Sequence, residues 1–205
     1  MSDLAGAMSP LPRGRHNLSR DEVQSSQRLR LAIAMAEACA EFGFVDTSVK
    51  AVLERANVSR LTFYELYDSK LDCFLDALDV VGEVLVAELG ATSGRRDATS
   101  IDRGERGIDR YLDAIVNNLP FARLYIVEVH AAGPVALRRR AELQGQIVDQ
   151  LVRSVGAKDA ESRFACEAYV AAVSALVTLP VATGDVKAIR ALRDPLVSLM
   201  RRLLT

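Results

Sequence analysis

Residues Thr47 to Lys70, TSVKAVLERANVSRLTFYELYDSK, constrain this chain more than any other stretch, because they read as two short helices joined by a tight turn. Thr47 or Ser48 supplies a hydroxyl for the first free N–H groups of a helix whose inner positions are Val49, Val52, Leu53 and Ala56. Asn57 is expected to end it in the left-handed region, with Val58 as an apolar plug between the helices and Ser59 capping the second. In that second helix Phe63 and Tyr67 lie four apart and point inward, which leaves Arg60, Leu61 and Tyr64 on a neighbouring outer face. An arginine near a helix N-terminus matches guanine O6 and N7, a leucine touches a thymine methyl, and a tyrosine hydroxyl reaches a phosphate or base edge. Ser48, Thr62 and Lys70 are positioned to hold phosphates, and Lys50 to reach a base or phosphate at the groove edge. The same periodicity also describes a helical hairpin with a solvated polar face.

The wording of the stretch resembles the DNA-binding domain of the TetR family of bacterial transcription regulators. That family's pattern runs V-S-x-x-T-[LF]-Y-x-x-[FY]-x-[SN]-K, and this chain supplies Val58, Ser59, Thr62, Phe63, Tyr64, Tyr67, Ser69 and Lys70 in register. The upstream phrase Glu41-Phe42-Gly43-Phe44 is similar to the end of the family's first helix. Three positions depart from the pattern. Ala56-Asn57 replaces Ala-Gly, Leu53 stands at a commonly small position, and Leu66 replaces a frequent polar phosphate contact. The resemblance implies a dimeric, ligand-responsive regulator, most often a repressor released from a palindromic operator, in which the helix after Lys70 transmits events in the C-terminal domain.

With 205 residues, half of them hydrophobic (50%), the chain can build a sizeable core, and the 26% charged residues fit an ordinary globular protein. Because the formal net charge is only −1, attraction to nucleic acid has to come from charges placed locally. No apolar run is expected to reach the length of a membrane span, and Met1 to Pro12 lacks signal-peptide features, so a cytoplasmic protein without membrane contact is expected. Cys39, Cys73 and Cys166 sit singly in apolar helical patterns and read as reduced core thiols, with redox sensing by one of them the less favoured reading. With only His16 and His130, and no paired Cys or His spacing, no metal and no cofactor are expected.

Taken in order, residues 1–18 read as a flexible arm whose Arg13, Arg15 and His16 suit a narrow minor groove or simply solvent. Residues 19–70 form the DNA-binding domain, opened by a helix from about Ser19 or Arg20 to Phe42, with a capping box from Ser19 to Glu22. Its stripe is Leu29, Ala32, Ile33, Ala36, Cys39 and Ala40, with Arg28 and Arg30 near the DNA backbone or solvated. Residues 71–205 form an effector-binding and dimerisation domain. Its helices are expected at 71–89, 108–119, 120–132, 134–155, 158–182 and 186–204, with 90–107 a loop or a helix starting near Ser100. No strand-like alternation is present, so the class is all α.

The helix near 158–182 carries apolar residues on more than one face, and Ile189, Leu192, Leu196, Leu199, Met200 and Leu203 add a stripe on the last one. Together they suggest a two-fold contact with the same pair from a second chain, although an internal core also explains them. Tyr111, Phe121, Tyr125, Glu128, His130, Phe164 and Tyr169 are the candidate lining of an effector pocket, set against the alternative of satisfied core residues. Arg138-Arg139-Arg140 suits an anionic effector or a solvated helix face. No phosphate loop, nucleophile elbow or metal spacing supports catalysis, and Glu128 and His130, two apart, would point to different sides of one helix. A helical ligand-binding dimer or small enzyme without DNA binding remains the alternative reading.

Overall fold

The computed structural model describes residues 20–90 and 99–203, and among the described residues all the regular structure is helical, as expected. The arm, with Arg13 and Arg15, and the capping box at Ser19 lie outside the described residues. In chain order the elements are α1 (Arg20–Asp46), α2 (Val49–Ala56), α3 (Arg60–Leu66), α4 (Lys70–Gly90), α5 (Ser100–Asn117) and α6 (Leu119–Arg123). A π-helical turn (Leu124–Glu128) leads into α7 (Val129–Ala131), followed by α8 (Pro134–Val155), α9 (Ala160–Thr183), α10 (Val186–Ala191) and α11 (Arg193–Leu203).

The spine is α1, which packs on α2 and α4 at one side and on α6 and the π turn at the other. Its burial therefore extends beyond the expected stripe: every residue from Leu31 to Ala36 is buried, because neighbours cover the helix all round. Gly43 breaks it at φ 78 and ψ 159, backbone that a Cβ disfavours, and one further helical turn follows. Thr47, itself buried, closes this break by donating its hydroxyl to the Gly43 carbonyl at 2.7 Å.

Helix α4 runs out of the α1–α3 head and packs against α1 and α8. It approaches α8 closely because Gly82 has no side chain; a Cβ there would stand 2.5 Å from Leu143 Cδ2. Helix α5 starts at Ser100, the second of the two readings given for residues 90–107, where Thr99 and Asp102 form a reciprocal capping box. The last helix, expected to be continuous, is divided at Leu192. Pro195 has no N–H to donate to Ala191 and its ring clashes with that carbonyl, so α10 closes with a tight Leu192 N to Ile189 O bond and α11 begins afresh.

Helix α9 has two characters. Cys166, Tyr169, Val173, Val177 and Val181 are buried, whereas Phe164, Leu176 and Leu179 are 69%, 47% and 71% exposed, with Ala168, Ala171 and Ala175 exposed among them. Contrary to expectation, this helix is long and apolar enough to cross a membrane by length and composition alone. Its inward face is taken up by α8, α10, α11 and the π turn.

Candidate functional site

The head is fastened from within. Ser48 caps α2 by accepting from Ala51 N at 3.1 Å, and Ser59 caps α3 by accepting from Thr62 N at 3.0 Å. Asn57 takes the left-handed conformation (φ 50, ψ 50) expected of it, and both its N–H and that of Val58 return to the Leu53 carbonyl. Under α3, Phe63 and Tyr67 are buried side by side with ring centres 5.4 Å apart. The Tyr67 hydroxyl donates to Asp76, which also pairs with Arg28, and Arg30 donates to the Ala56 carbonyl at the end of α2. Arg28 and Arg30 thus tie α1 to α2 and α4. Arg55 similarly pairs with Glu41 and lies 5.1 Å from the Phe42 ring centre.

With its inner face closed, α3 leaves Arg60, Leu61 and Tyr64 exposed, Leu61 at 72% and Tyr64 at 50%. Ser48 and Lys50 are exposed at the start of α2, and Lys50 makes only a loose ion pair with Glu54 at 3.7 Å. Thr62 is half-buried, its hydroxyl 2.9 Å from that of Ser59. Lys70 has a different occupation from the one expected. Its ammonium donates to the carbonyls of Phe44 (2.7 Å), Val45 (3.2 Å) and Thr47 (2.9 Å) and sits 4.3 Å from the Phe44 ring centre. This is the cation that completes the turn between α1 and α2, where unpaired carbonyls gather.

A cavity of ≈ 80 Å³ lies in the body between α5, α8, α9 and α11. Its walls include Arg103, Ile108 and Tyr111 of α5, Tyr125 of the π turn, Gln144, Ile147, Leu151 and Ser154 of α8, Tyr169, Val173 and Ser174 of α9, and Leu196 and Met200 of α11. A neighbouring space of ≈ 30 Å³, lined by Phe121, Leu85 and Ala114, shares Tyr111 and Tyr125 as a common wall. Tyr169 donates to the Leu196 carbonyl at 3.0 Å, whereas the Tyr125 hydroxyl and Ser154 Oγ, both buried, find no partner among the described residues. Burial pushes the Tyr125 phenol up to about 12 despite the nearby Arg140 cation, so it stays a neutral hydroxyl.

No protein-family model matches the chain, and no curated protein matches it in sequence. Solved structures do match in shape. A TetR-like transcriptional regulator from Rhodococcus sp. RHA1 is 19% identical with a TM-score of 0.68, covering 94% of this chain and 97% of that one. The fatty acid degradation regulator FadR from Bacillus halodurans is 15% identical with a TM-score of 0.73, over 85% of this chain and 96% of that one. FadR from Bacillus subtilis, solved in complex with stearoyl-CoA, is 15% identical with a TM-score of 0.68, over 86% of this chain and 97% of that one. The fold is that of the TetR regulators.

Within this TetR fold the expected effector residues divide into three groups. Tyr111, Tyr125 and Tyr169 meet in the larger cavity, and Phe121 lines the smaller. His130 and Phe164 are exposed on the surface, away from either space, because their helix faces turn outward. Glu128 is buried elsewhere: Oε2 accepts from Phe44 N at 2.8 Å and Oε1 pairs with Arg123 at 3.2 Å, at the Gly43 break of α1. The enzyme constellation of Glu128 and His130 therefore does not converge. Arg103, Gln144, Gln150, Ser154 and Ser174 went unnoticed in the sequence, since isolated polar residues on amphipathic helices look like surface positions. All three cysteines are buried, and burial pushes the Cys39 thiol up to about 11, away from thiolate reactivity.

Proposed function

We propose that this chain is a sequence-specific DNA-binding transcription regulator, a dimeric repressor that leaves a palindromic operator when a small molecule occupies the body cavity. The observation that carries the reading is the outer face of α3, where Arg60, Leu61 and Tyr64 are exposed on a capped helix whose opposite side is locked into the core. A leucine 72% exposed beside an arginine and a tyrosine suits a major groove, where it meets a thymine methyl and Arg60 meets guanine. Ser48, Lys50 and Thr62 are assigned to the groove edge and phosphates, and Arg13 and Arg15 to the minor groove beside it. Lys70 orders the α1–α2 turn from within, and a phosphate contact would have to compete with its three carbonyls.

The exposed apolar face of α9, with Leu203 and half-buried Leu199 of α11, is assigned to the partner protomer. A two-fold pair matches half-sites about 34–36 Å apart on one face of DNA. Release of DNA on effector binding is assigned to a short route of one π turn and two hydrogen bonds. Tyr125 lines the cavity and Glu128, on the same π turn, holds the Phe44 N–H whose neighbouring carbonyl is held by Lys70. A ligand that shifts the π turn changes Glu128's grip on α1 and so the seating of the head. The stearoyl-CoA in the Bacillus subtilis FadR complex belongs to that protein, but it supports an apolar effector in a cavity walled by Tyr, Leu and Val side chains. Non-catalytic function and a cytoplasmic location follow from the same reading.

The test is selection of bound sequences from random duplex DNA at stated salt. Enrichment of a palindrome supports the proposal. A folded dimer that enriches no sequence replaces it with a ligand-binding protein lacking DNA contact.

A further inference from the structure

The larger cavity has a polarity that the effector reading alone does not supply. Among the described residues no carboxylate lines it, while Arg103 does, and Tyr125 and Ser154 present buried hydroxyls without protein partners. Behind the wall stands Arg140. Of the three consecutive arginines on α8, Arg138 is exposed, and Arg139 is engaged by Asp79 at 2.5 Å and Glu142 at 2.8 Å. Arg140 points the other way: it donates to Ser174 Oγ at 3.1 Å and lies 5.4 Å from the Tyr125 ring centre. Its Nε is buried without a partner, and no carboxylate among the described residues pairs with it. A half-buried guanidinium without a counter-ion, beside an unpartnered phenol, is costly unless an anion arrives to share both. From Gln144 to Ser154 the cavity follows α8 for about 15 Å at 1.5 Å per residue, and Ile147, Leu151 and Val173 make that stretch apolar.

We propose that the cavity binds an apolar monocarboxylate, its carboxylate taken by Arg140, Tyr125 and Ser174 and its hydrocarbon part lying between α8, α9 and α11. This rests on the effector-cavity reading and adds the charge of the ligand. Arg140 stands behind Tyr125 and Ser174, so the carboxylate reaches it between these two lining residues and gains charge-assisted contacts from the guanidinium and the hydroxyls.

The experiment is calorimetric titration of the purified full chain with 4-phenylbutyrate, its neutral amide 4-phenylbutanamide and the cationic 4-phenylbutylamine. The carboxylate is expected to bind about tenfold or more tightly than the amide, as one charge-assisted hydrogen bond implies. The amine is expected to bind weakest. Arg140→Met, which keeps the aliphatic stem, should abolish the preference for the carboxylate while leaving binding of the amide, and Tyr125→Phe should reduce it. Circular dichroism and thermal unfolding establish that both variants remain folded. Equal binding of acid and amide overturns the proposal, as does failure of all three probes to bind a folded protein. Loss of preference in Arg103→Met but not in Arg140→Met overturns the assignment of the anion to this end. DNA selection on the same preparation without probe separates the two readings: an enriched palindrome with no acid preference sinks the ligand class alone, and acid preference without enrichment sinks the regulator reading alone.

Discussion

The head and the body of this molecule place their chemistry on opposite sides of a packed layer. In the head, Phe63, Val52 and Phe74 are completely buried, caps and turns are closed by Ser48, Asn57, Ser59 and Lys70, and Arg60, Leu61 and Tyr64 project outward. In the body, the helices close around a space where the Tyr125 hydroxyl and Ser154 Oγ have no partner among the described residues. The head closes its caps and turns and offers a surface, whereas the body leaves hydroxyls unmatched around a space and offers an interior. The proposed ligand control rests on this difference, because a space with unmatched polar atoms has something to gain from a small molecule.

Substitutions at four positions test the contrast between head and body. Lys70→Met removes three hydrogen bonds to carbonyls in the head, and at about 1 kcal/mol net for each it should lower stability in urea unfolding by about 2–3 kcal/mol. If Lys70 is an internal fastener, the salt dependence of DNA affinity should keep its slope in this variant. A slope lowered by about one would return it to the phosphate role that its position in the sequence suggests. Next in size, Arg60→Ala should cost about 1–3 kcal/mol at one base position and relax discrimination there, read in competition between operator variants, with no change in melting temperature. Unchanged discrimination would move the reading face elsewhere. In the body the sign should reverse: Tyr125→Phe removes a buried hydroxyl without a partner among the described residues, so the unliganded chain should gain about 1 kcal/mol in the same urea experiment. A loss of stability would mean that the hydroxyl already has a partner such as an ordered water. Smallest is Asn57→Gly, which relaxes a non-glycine residue at φ 50 and should raise stability by about 0.5 kcal/mol, whereas Asn57→Val should lower it by more.

Much of the head was legible because its signals are local. Caps lie within three residues of the N–H groups they serve, as at Ser48 and Ser59, and a left-handed stop such as Asn57 is set by its own backbone preference. The inward turn of Phe63 and Tyr67 follows from helical spacing alone. The body resisted for two reasons. Thr99 and Asp102 begin a helix inside a segment whose composition left loop and helix both open, and Pro195 divides a stretch whose apolar period continues without interruption. The π turn carries no sequence mark. Its consequence is large, since Tyr125 faces the cavity while Glu128, three residues on, reaches α1.

Legible in the sequence were the all-helical class seen among the described residues, the two-helix head with its inner and outer faces, and the apolar excess on α9, all of them properties that repeat every three or four residues along one element. Packing between helices set the rest: Lys70 serves carbonyls of the α1–α2 turn, Glu128 grips Phe44 from 84 residues away, His130 and Phe164 stand on the surface, and Arg140 turns inward while Arg138 and Arg139 do not. Each of those outcomes depends on which other helix lies across a given face, and that depends on how whole helices pack, which no local period encodes.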